Sequence, residues 1–490
     1  MSSANSEEEN LMRLLFSGQL ESIELGLVIA QSLHMNYEEL TRDIELVCSW
    51  FPIKTVLTLA EKFQFVSSQK KMSLQDSDWK VIPPQIKYLI NLQELTIHHS
   101  QATEVPAEIG MLTNLIHLNL SGNQIKHLPA EIGDLSHLLT LQLSSNKLLS
   151  LPAEIGNLSK LTSLELRSNQ LRSLPPEIGN LTELVSLYVS LNQLTALPVE
   201  IGKLTELVSL NATNNNLTLL PAEIGNLTKL KELWISYNKL TTLPSEMANL
   251  PELESLHLDR NKLVVFPSAI ADLTNLTYLD LSRTHLAELP STISNLTKLT
   301  GLSLESNKLV SLPAEIGMLS ELTGLNISDN QFSSLPKEIG KLTKLTYLNI
   351  SVNKLSELLP EIGKLRKLTE LHIGANQLSE LPSAIGKLTR LTGLYMNINH
   401  LRALPAEIKK LTKLTDLEAR KNQLTSLPAE INSLVKLKKL LLRNNELLHI
   451  GEEITALTNL QELSLENNPL SAEQKEQIKS WLPTCKVTFD

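Results

Sequence analysis

The sequence contains few of the residues that mark disulfide-bonded or membrane-spanning proteins. Its two cysteines, Cys48 and Cys485, lie near opposite ends of 490 residues, so reduced thiols are expected rather than a disulfide framework. No apolar run approaches the roughly 18 residues of a membrane-spanning helix. The first residues, MSSANSEEENLM, are acidic where a secretory signal would be basic. These features favour a cytoplasmic protein.

Positive charge and aromatic side chains are also scarce. The formal net charge of -9 leaves no basic excess to neutralise phosphates, so nucleic-acid binding is not expected. Aromatic residues make up 4% of the chain although hydrophobic residues make up 42%, because the apolar content is mostly leucine and isoleucine. This composition favours a chain of similar small units over one irregular core.

The sequence has instead a repeat of 23 residues. The proline of LPAEIG recurs in steps of 23 from Pro83 to Pro428, and no insertion or deletion occurs between residues 83 and 451. Of the 17 positions in this series, 15 hold proline, and the exceptions are Leu359 and Gly451. A fixed period of this length predicts a solenoid, in which each unit buries its apolar face against its neighbours.

The spacing of apolar residues predicts the structure of one unit. In the unit from Pro152 to Leu174, Ile155, Leu158 and Leu161 recur every three residues, as in a tight turn. Leu164 and Leu166 are two residues apart, as in a strand with one face inward. Each unit is therefore expected to contribute one strand and one compact turn, and identical successive strands are expected to pair parallel.

The repeated pattern LxxLxLxxNxLxxLPxxIxxLxxL resembles that of leucine-rich repeat proteins, over about residues 70 to 470. The spelling is most similar to intracellular members from bacteria, from plants and from the Ras-associated scaffold group. The resemblance implies an α/β fold: a right-handed horseshoe with a parallel β-sheet on its concave face and short 3-10 turns on its convex face. It also implies a ladder of asparagine side chains. Asparagine occupies this position in 15 of 17 units, with Ser100 and Thr284 as the exceptions.

Both ends of such a solenoid need a cover for the terminal coil. We expect a helical N-terminal cap over residues 1–69, because Ser6 to Glu9 and Asn36 to Glu39 have the spelling of helix capping boxes. A separate interaction module is the alternative for this segment. The solenoid is expected over 70–470, with a degenerate first strand that places Ser77 at the ladder position. A helix starting at Ser471 and a short strand should form a C-terminal cap over 471–490.

Strand alternation identifies the side chains on the concave face. Counted from the proline, these are positions 11, 13, 15 and 16, with position 18 at the rim. Aromatic and charged residues concentrate at these positions in the middle units, whereas the flanking units carry mostly Ser, Asn, Gln and Thr. Because aromatic residues and arginine are enriched in protein interfaces, we expect a partner-binding patch there. Its predicted members are Tyr188, Trp234, Tyr237, His257, Asp259, Arg260, Tyr278, Asp280, Arg283 and His285.

Catalytic and metal chemistry find little support in the sequence. His257, Asp280 and Ser303 could be written as a catalytic triad, but they would lie in a row on an open sheet without an evident oxyanion hole. His257, Asp259 and Asp280 have suitable metal-ligand types without a recognisable motif. The recurring glycines follow the repeat and do not form a phosphate loop. We expect no enzyme activity, no cofactor and no metal.

The sequence therefore predicts a monomeric scaffold that binds another protein on the concave face, with a role in intracellular signalling. A small GTPase or its regulator is the partner that the Ras-group resemblance implies. Charge complementarity with the basic rim, formed by Lys239, Lys262, His285 and Lys308, would favour a partner segment with acidic residues. The alternative is a structural or surface protein that assembles with itself and has no concave-face ligand.

Overall fold

The computed structural model describes residues 10–32, 37–53, 55–75 and 79–490. The chain divides into two compact units, Met1–Glu232 and Leu233–Asp490. No helix within the described ranges is both long and apolar enough to cross a membrane. The boundary between the units falls inside one strand, β8, which spans Glu232–Trp234.

Short strands recur once per repeat in both units. Those of the first unit are β1 (Lys71–Gln75), β2 (Glu94–His98), β3 (His117–Asn119), β4 (Thr140–Gln142), β5 (Ser163–Glu165), β6 (Ser186–Tyr188) and β7 (Ser209–Asn211). Those of the second unit are β9 (Ser255–His257), β10 (Tyr278–Asp280), β11 (Gly301–Ser303), β12 (Gly324–Asn326), β13 (Tyr347–Asn349), β14 (Glu370–His372), β15 (Gly393–Tyr395), β16 (Asp416–Glu418), β17 (Lys439–Leu441), β18 (Glu462–Ser464) and β19 (Lys486–Thr488).

Within each unit the strands pair parallel and in chain order. The register advances by one repeat per strand, so that Leu164 lies opposite Leu187 and Leu279 opposite Leu302. A five-residue 3-10 helix follows each anchor position, as Ala153–Asn157 follows Pro152. Proline suits the residue before this turn because its fixed φ, here -69°, matches the extended entry. The predicted solenoid of parallel strands and 3-10 turns is therefore confirmed within each unit.

The core consists of columns of leucine and isoleucine between the strands and the turns. Ile155, Leu158, Leu161 and Leu164 are fully buried, as the spacing predicts. The turns approach one another so closely that glycine is needed in most of them. A Cβ added to Gly156 would lie 2.6 Å from the carbonyl oxygen of Glu177 in the next turn. Glycine here serves close backbone contact between coils.

Buried asparagines connect the coils by hydrogen bonds. The side-chain amide of Asn169 donates to the carbonyl oxygens of Leu143 and Leu166, at 2.9 and 3.0 Å. Its Oδ1 accepts from the amide of Leu148 at 3.0 Å. These backbone groups would otherwise be buried without partners. The asparagine ladder that the resemblance implies is present.

Helices precede the first strand. Residues 10–15 are helical, followed by α1 (Leu20–Ser32), α2 (Tyr37–Ser49) and α3 (Leu59–Ser68). The Phe16 ring packs against Tyr88 of the first 3-10 turn at 5.6 Å, and the Tyr88 hydroxyl donates to Asp43 at 3.1 Å. A capping box at Thr58 and Glu61 starts α3. The predicted box at Ser6 to Glu9, and the residues Asn36 and Ser77, lie outside the described residues.

A helix and a strand follow the last repeat. Helix α4 (Ala472–Trp481) begins after Ser471, whose hydroxyl accepts a hydrogen bond from the amide of Gln474 at 3.1 Å. Strand β19 then pairs parallel with β18. Serine at this position satisfies one of the free amides of the first helical turn.

Candidate functional site

The candidate surface is the exposed face of the sheet in the second unit. Most strands leave positions 11 and 13 of the repeat partly exposed and bury the leucine between them, as β10 does with Tyr278 and Asp280 around Leu279. Position 16 follows the strand in a left-handed conformation. Arg260 has φ 54° and Arg283 has φ 55°. The side chains of Arg260 and Arg283 are exposed, whereas the ladder residue that follows each of them is buried. The exposed surface therefore continues beyond the end of the strand.

Three of the predicted residues form a continuous row of rings across neighbouring strands. The ring centroids of Trp234 and His257 are 5.7 Å apart, and those of His257 and Tyr278 are 4.9 Å apart. Both pairs are tilted by 33°. The Nε2 of His257 is within hydrogen-bond distance of the Ser255 hydroxyl, at 2.9 Å. We call Trp234, His257 and Tyr278 the first aromatic row.

A cation lies over an aromatic ring beside this row. The guanidinium of Arg260 is 4.6 Å from the ring centroid of Tyr237, the distance of a cation–π contact. Tyr237 is 45% exposed, so the pair is open to solvent on its outer side. Asp259 accepts a hydrogen bond from the hydroxyl of Ser236. The structure thus brings Tyr237, Asp259 and Arg260 next to one another.

Acidic groups surround the end of the first aromatic row. Burial raises the pKa of the Asp280 carboxyl, and the charges of Asp259 and Glu305 raise it further, although hydrogen bonds from Ser282 oppose this. Burial also raises the pKa of the Tyr278 hydroxyl, and Asp280 and Asp259 add to that effect. Carboxyl groups of Asp259, Asp280 and Glu305 thus lie near this end of the row.

Arg283 and His285 lie at the edge of this surface. The Arg283 guanidinium contacts the Glu305 carboxylate at 3.3 Å, where both side chains are partly exposed. His285 has φ 68°, and Gln101 has φ 57°. These two residues directly follow Thr284 and Ser100, which replace asparagine at the ladder position of their repeats. Substitution of the asparagine therefore coincides with a left-handed conformation at the next residue.

Tyr188 belongs to the first unit. It lies at position 13 of β6, partly exposed, opposite Glu165 of β5. The nine other predicted residues belong to the second unit.

The groups considered for catalysis make other hydrogen bonds. The Ser303 hydroxyl is paired with that of Ser282 at 2.7 Å, and the Asp280 carboxylate accepts from the Ser282 amide at 2.9 Å. In the described ranges, three or more His, Cys, Asp or Glu side chains are nowhere placed to hold a metal ion.

A second group of rings was missed by the sequence analysis. The centroids of Tyr347 and His372 are 5.4 Å apart, and the rings of His372 and Tyr395 stack at 4.3 Å with an interplanar angle of 13°. The Glu370 carboxylate lies 3.3 Å from Nε2 of His372. Reading positions 11 and 13 together would have identified these residues. We call Tyr347, His372 and Tyr395 the second aromatic row.

A shallow cavity of about 610 Å³ near the last strands was also missed. It is open to solvent and combines basic with acidic groups. Its charged lining residues are Arg420, Lys421, Arg443, Lys486, Glu462 and Glu466. Arg420 is paired with Glu418 at 3.6 Å. Basic side chains thus outnumber carboxylates in its lining.

Known proteins resemble this chain across its repeats. The family model described as a leucine-rich repeat region matches residues 84–167, 109–184, 153–265, 268–346 and 333–401. A leucine-rich repeat protein of Leptospira interrogans has a similar structure, with 33% identity, 89% of this chain and 100% of that chain covered, and a TM-score of 0.58. None of the curated proteins matches the chain.

Two further structures are similar. The plant peptide hormone receptor RGFR1, solved in complex with RGF2, is 32% identical, with 84% of this chain and 72% of that chain covered and a TM-score of 0.68. An internalin of Listeria monocytogenes is 29% identical, with 64% and 88% covered and a TM-score of 0.57. These similarities extend over the repeats of both described units.

Proposed function

Because the chain belongs to the leucine-rich repeat family, we propose that it is a non-enzymatic scaffold that binds a partner protein on the exposed face of the sheet. The first aromatic row carries this proposal. Trp234, His257 and Tyr278 form one contiguous ring surface, with the Arg260–Tyr237 pair beside it. Tryptophan, tyrosine and arginine are the residues that contribute most to binding energy in protein interfaces.

The mechanism is preorganisation. The rings are held against one another on paired strands before a partner arrives, so little conformational entropy is lost on contact. Beside the row, the Tyr237 amide donates to the Asp259 carbonyl at 2.8 Å, which fixes the two coils relative to each other. A partner side chain would meet a surface whose shape is already set.

The proposal extends to the identity of the partner and to the cellular compartment in which the complex forms. RGFR1, solved with RGF2, is an example of a similar protein in complex. Resemblance to the Ras-associated group supports a small GTPase or its regulator as partner, and signalling as the role. The free thiols of Cys48, which is buried, and Cys485 support a reducing cytoplasm.

Site-specific crosslinking tests the proposal. A photoreactive p-benzoylphenylalanine replaces His257 in the full chain, and the same residue replaces Glu315 in a 3-10 turn as the matched control. After irradiation in host cells, we expect one partner protein to crosslink at 257 and not at 315. Equal crosslinking at both positions, or none at 257, would contradict the proposal.

A double variant tests the contribution of the named residues. Trp234→Ala with Arg260→Glu should abolish recovery of the crosslinked partner while circular dichroism and the melting temperature stay unchanged. Light scattering at increasing concentration examines the alternative of self-assembly. Self-assembly would be indicated if the measured mass grows with concentration and the only crosslinks are to a second copy of this chain. That result would contradict binding of a separate partner protein.

A further inference from the structure

The two aromatic rows are separated by two strands that carry glycine. Position 11 reads Tyr278, Gly301, Gly324 and Tyr347 on β10 to β13, and these residues are direct neighbours in register. With strands about 4.8 Å apart, the two tyrosines are about 14 Å apart along the sheet. The rows therefore flank a short stretch where the backbone has no side chain at this position.

Glycine inside a strand weakens the strand and often marks the close approach of another group. Two strand glycines of this face have such a group within the chain. A Cβ on Gly301 would lie 2.7 Å from the Tyr278 ring, and one on Gly393 would lie 2.6 Å from the Tyr395 ring. Gly301 thus makes room for Tyr278 of the first aromatic row, and Gly393 makes room for Tyr395 of the second.

Gly324 differs from both. A Cβ added there would meet no atom within 4 Å. The open floor at Gly324 lies between the Tyr278 ring, which covers Gly301, and Tyr347 on the next strand. Two strand spacings, about 10 Å, separate Gly301 from Tyr347. We call this space the glycine notch, and its width admits one extended chain or one planar side-chain group.

The groups around the notch favour a cation. Asp280 and Glu305 lie on its Tyr278 side, and Glu370 lies beyond Tyr347. Burial raises the pKa of Tyr347, and although a hydrogen bond with Asn349 lowers it, the charges of Glu370 and Glu305 raise it further.

The basic groups near the notch are partly engaged. Arg283 is paired with Glu305 at 3.3 Å, and His372 lies 3.3 Å from Glu370. Lys308 is exposed at the rim of the same coil as Glu305. A guanidinium over a tyrosine already occurs on this surface, in the Arg260–Tyr237 pair. Aromatic faces combined with carboxylates bind cations through cation–π and charge interactions.

We propose that the glycine notch binds an arginine side chain of the partner protein, between Tyr278 and Tyr347 and close to Asp280. This inference rests on the proposed function and names the chemistry that the surface selects. It replaces the acidic partner segment expected from the basic rim, because the floor of the face carries the carboxylates and the bases lie at its edge.

Fluorine NMR with 3-fluorotyrosine tests this directly. The chain has 7 tyrosines, and the signals of Tyr278 and Tyr347 are assigned from Tyr→Phe variants. The probe is Nα-acetyl-L-arginine N-methylamide, and its neutral isostere is the citrulline analogue. We expect both signals to shift with the arginine probe and binding of the citrulline probe to be about tenfold weaker or more. The Tyr188 signal of the first unit should not move.

Gly324→Leu supplies the matched variant, since the leucine side chain would fill open space. It should abolish the arginine-induced shifts, while partner crosslinking from p-benzoylphenylalanine at position 257 is weakened but still specific. Equal shifts with both probes, shifts with Nα-acetyl-glutamate N-methylamide instead, or no shifts would overturn the arginine site. Absence of specific crosslinking from p-benzoylphenylalanine at position 257 in the chain that retains Gly324 would instead overturn the proposed function.

Discussion

The hydroxyl of Thr284 lies 3.0 Å from Oδ1 of Asn307 and 2.6 Å from the carbonyl oxygen of Leu281. The amides of Thr284 and Leu286 also donate to this Oδ1, at 3.1 and 3.0 Å. The Thr284 amide therefore joins this coil to the next, while its hydroxyl, which has a single proton, donates at the shorter distance to Leu281 of its own coil. Where the ladder residue is asparagine, its Oδ1 accepts from the preceding coil, as Asn261 accepts from the amide of Leu240 at 3.0 Å. Thr284 instead donates from its amide to Oδ1 of Asn307 in the next coil.

Restoring asparagine at this position should stabilise the protein. In Thr284→Asn, Oδ1 gains the position from which it can accept from the amide of Leu263 in the preceding coil. We expect the free energy of unfolding to rise by about 1 kcal/mol, the usual contribution of one hydrogen bond. Urea unfolding followed by circular dichroism measures it. Thr297→Asn, at an exposed position, is the control, and a fall in stability of Thr284→Asn would refute the expected bond.

Substitution of a turn glycine should lower the stability of the protein, whereas substitution of the strand glycine Gly324 should not. Gly156→Ala forces a Cβ to within 2.6 Å of a backbone oxygen, so we expect a loss of about 1 to 3 kcal/mol from overpacking. Gly324→Ala adds a Cβ in open space and should change stability by less than about 0.5 kcal/mol. Thermal unfolding of the two variants compares them. Similar losses in both would show that close contact between turns is not the cause.

Removal of a core side chain should cost far more than removal of a surface one. Leu164 is fully buried, whereas Leu149 is 44% exposed. Leu164→Ala should lower the free energy of unfolding by about 2 to 5 kcal/mol, because it leaves a cavity. Leu149→Ala should lower it by about 0.5 kcal/mol or less. Equal effects in urea unfolding would contradict the assigned strand register.

Asp280 should make stability depend on pH. Burial raises the pKa of its carboxyl in the folded protein, so the folded state holds the proton more tightly than the unfolded state. The resulting stabilisation is fully present below the unfolded pKa, about 4, and is lost as pH rises through the folded pKa.

Asp280→Asn lacks this titration. Its stability relative to wild type should therefore increase as the pH rises from about 4 toward neutrality. Urea midpoints across this range measure the difference, with Asp272→Asn, at an exposed position, as control. A relative stability of Asp280→Asn that falls with pH would show that the carboxylate is stabilised in the fold.

The sequence predicts those parts of the structure that repeat. The 23-residue period gives the strands, the turns and the buried columns, because each apolar spacing has one geometric interpretation. The residue types at position 16 of the repeat do not predict the backbone conformation found there. Val352 and Ile398 adopt left-handed φ values of 55° and 58° there, although branched side chains disfavour this region. The next residue is the ladder residue, whose hydrogen bonds reach both its own coil and the neighbouring one, as those of Asn169 do. The contacts with the neighbouring coil are not specified by local spacing.

The candidate surface was predicted in part for a similar reason. Trp234 and His257 share position 13, so a single column reveals them. Tyr278 is at position 11 and contacts His257 diagonally on the neighbouring strand, and Tyr347 contacts His372 in the same way. Such diagonal contacts depend on side-chain direction, which the period alone does not specify. The open space at Gly324 likewise becomes visible only once the neighbouring rings are placed.

The unbroken register between β10 and β13 makes the width of the glycine notch a discrete quantity. Gain or loss of one whole coil in this stretch moves Tyr278 and Tyr347 apart or together by one strand spacing, about 4.8 Å. Intermediate widths are inaccessible without breaking the ladder. Duplication or deletion of whole coils can therefore change the width of the notch in fixed steps. Point substitutions alter only the side chains that line it.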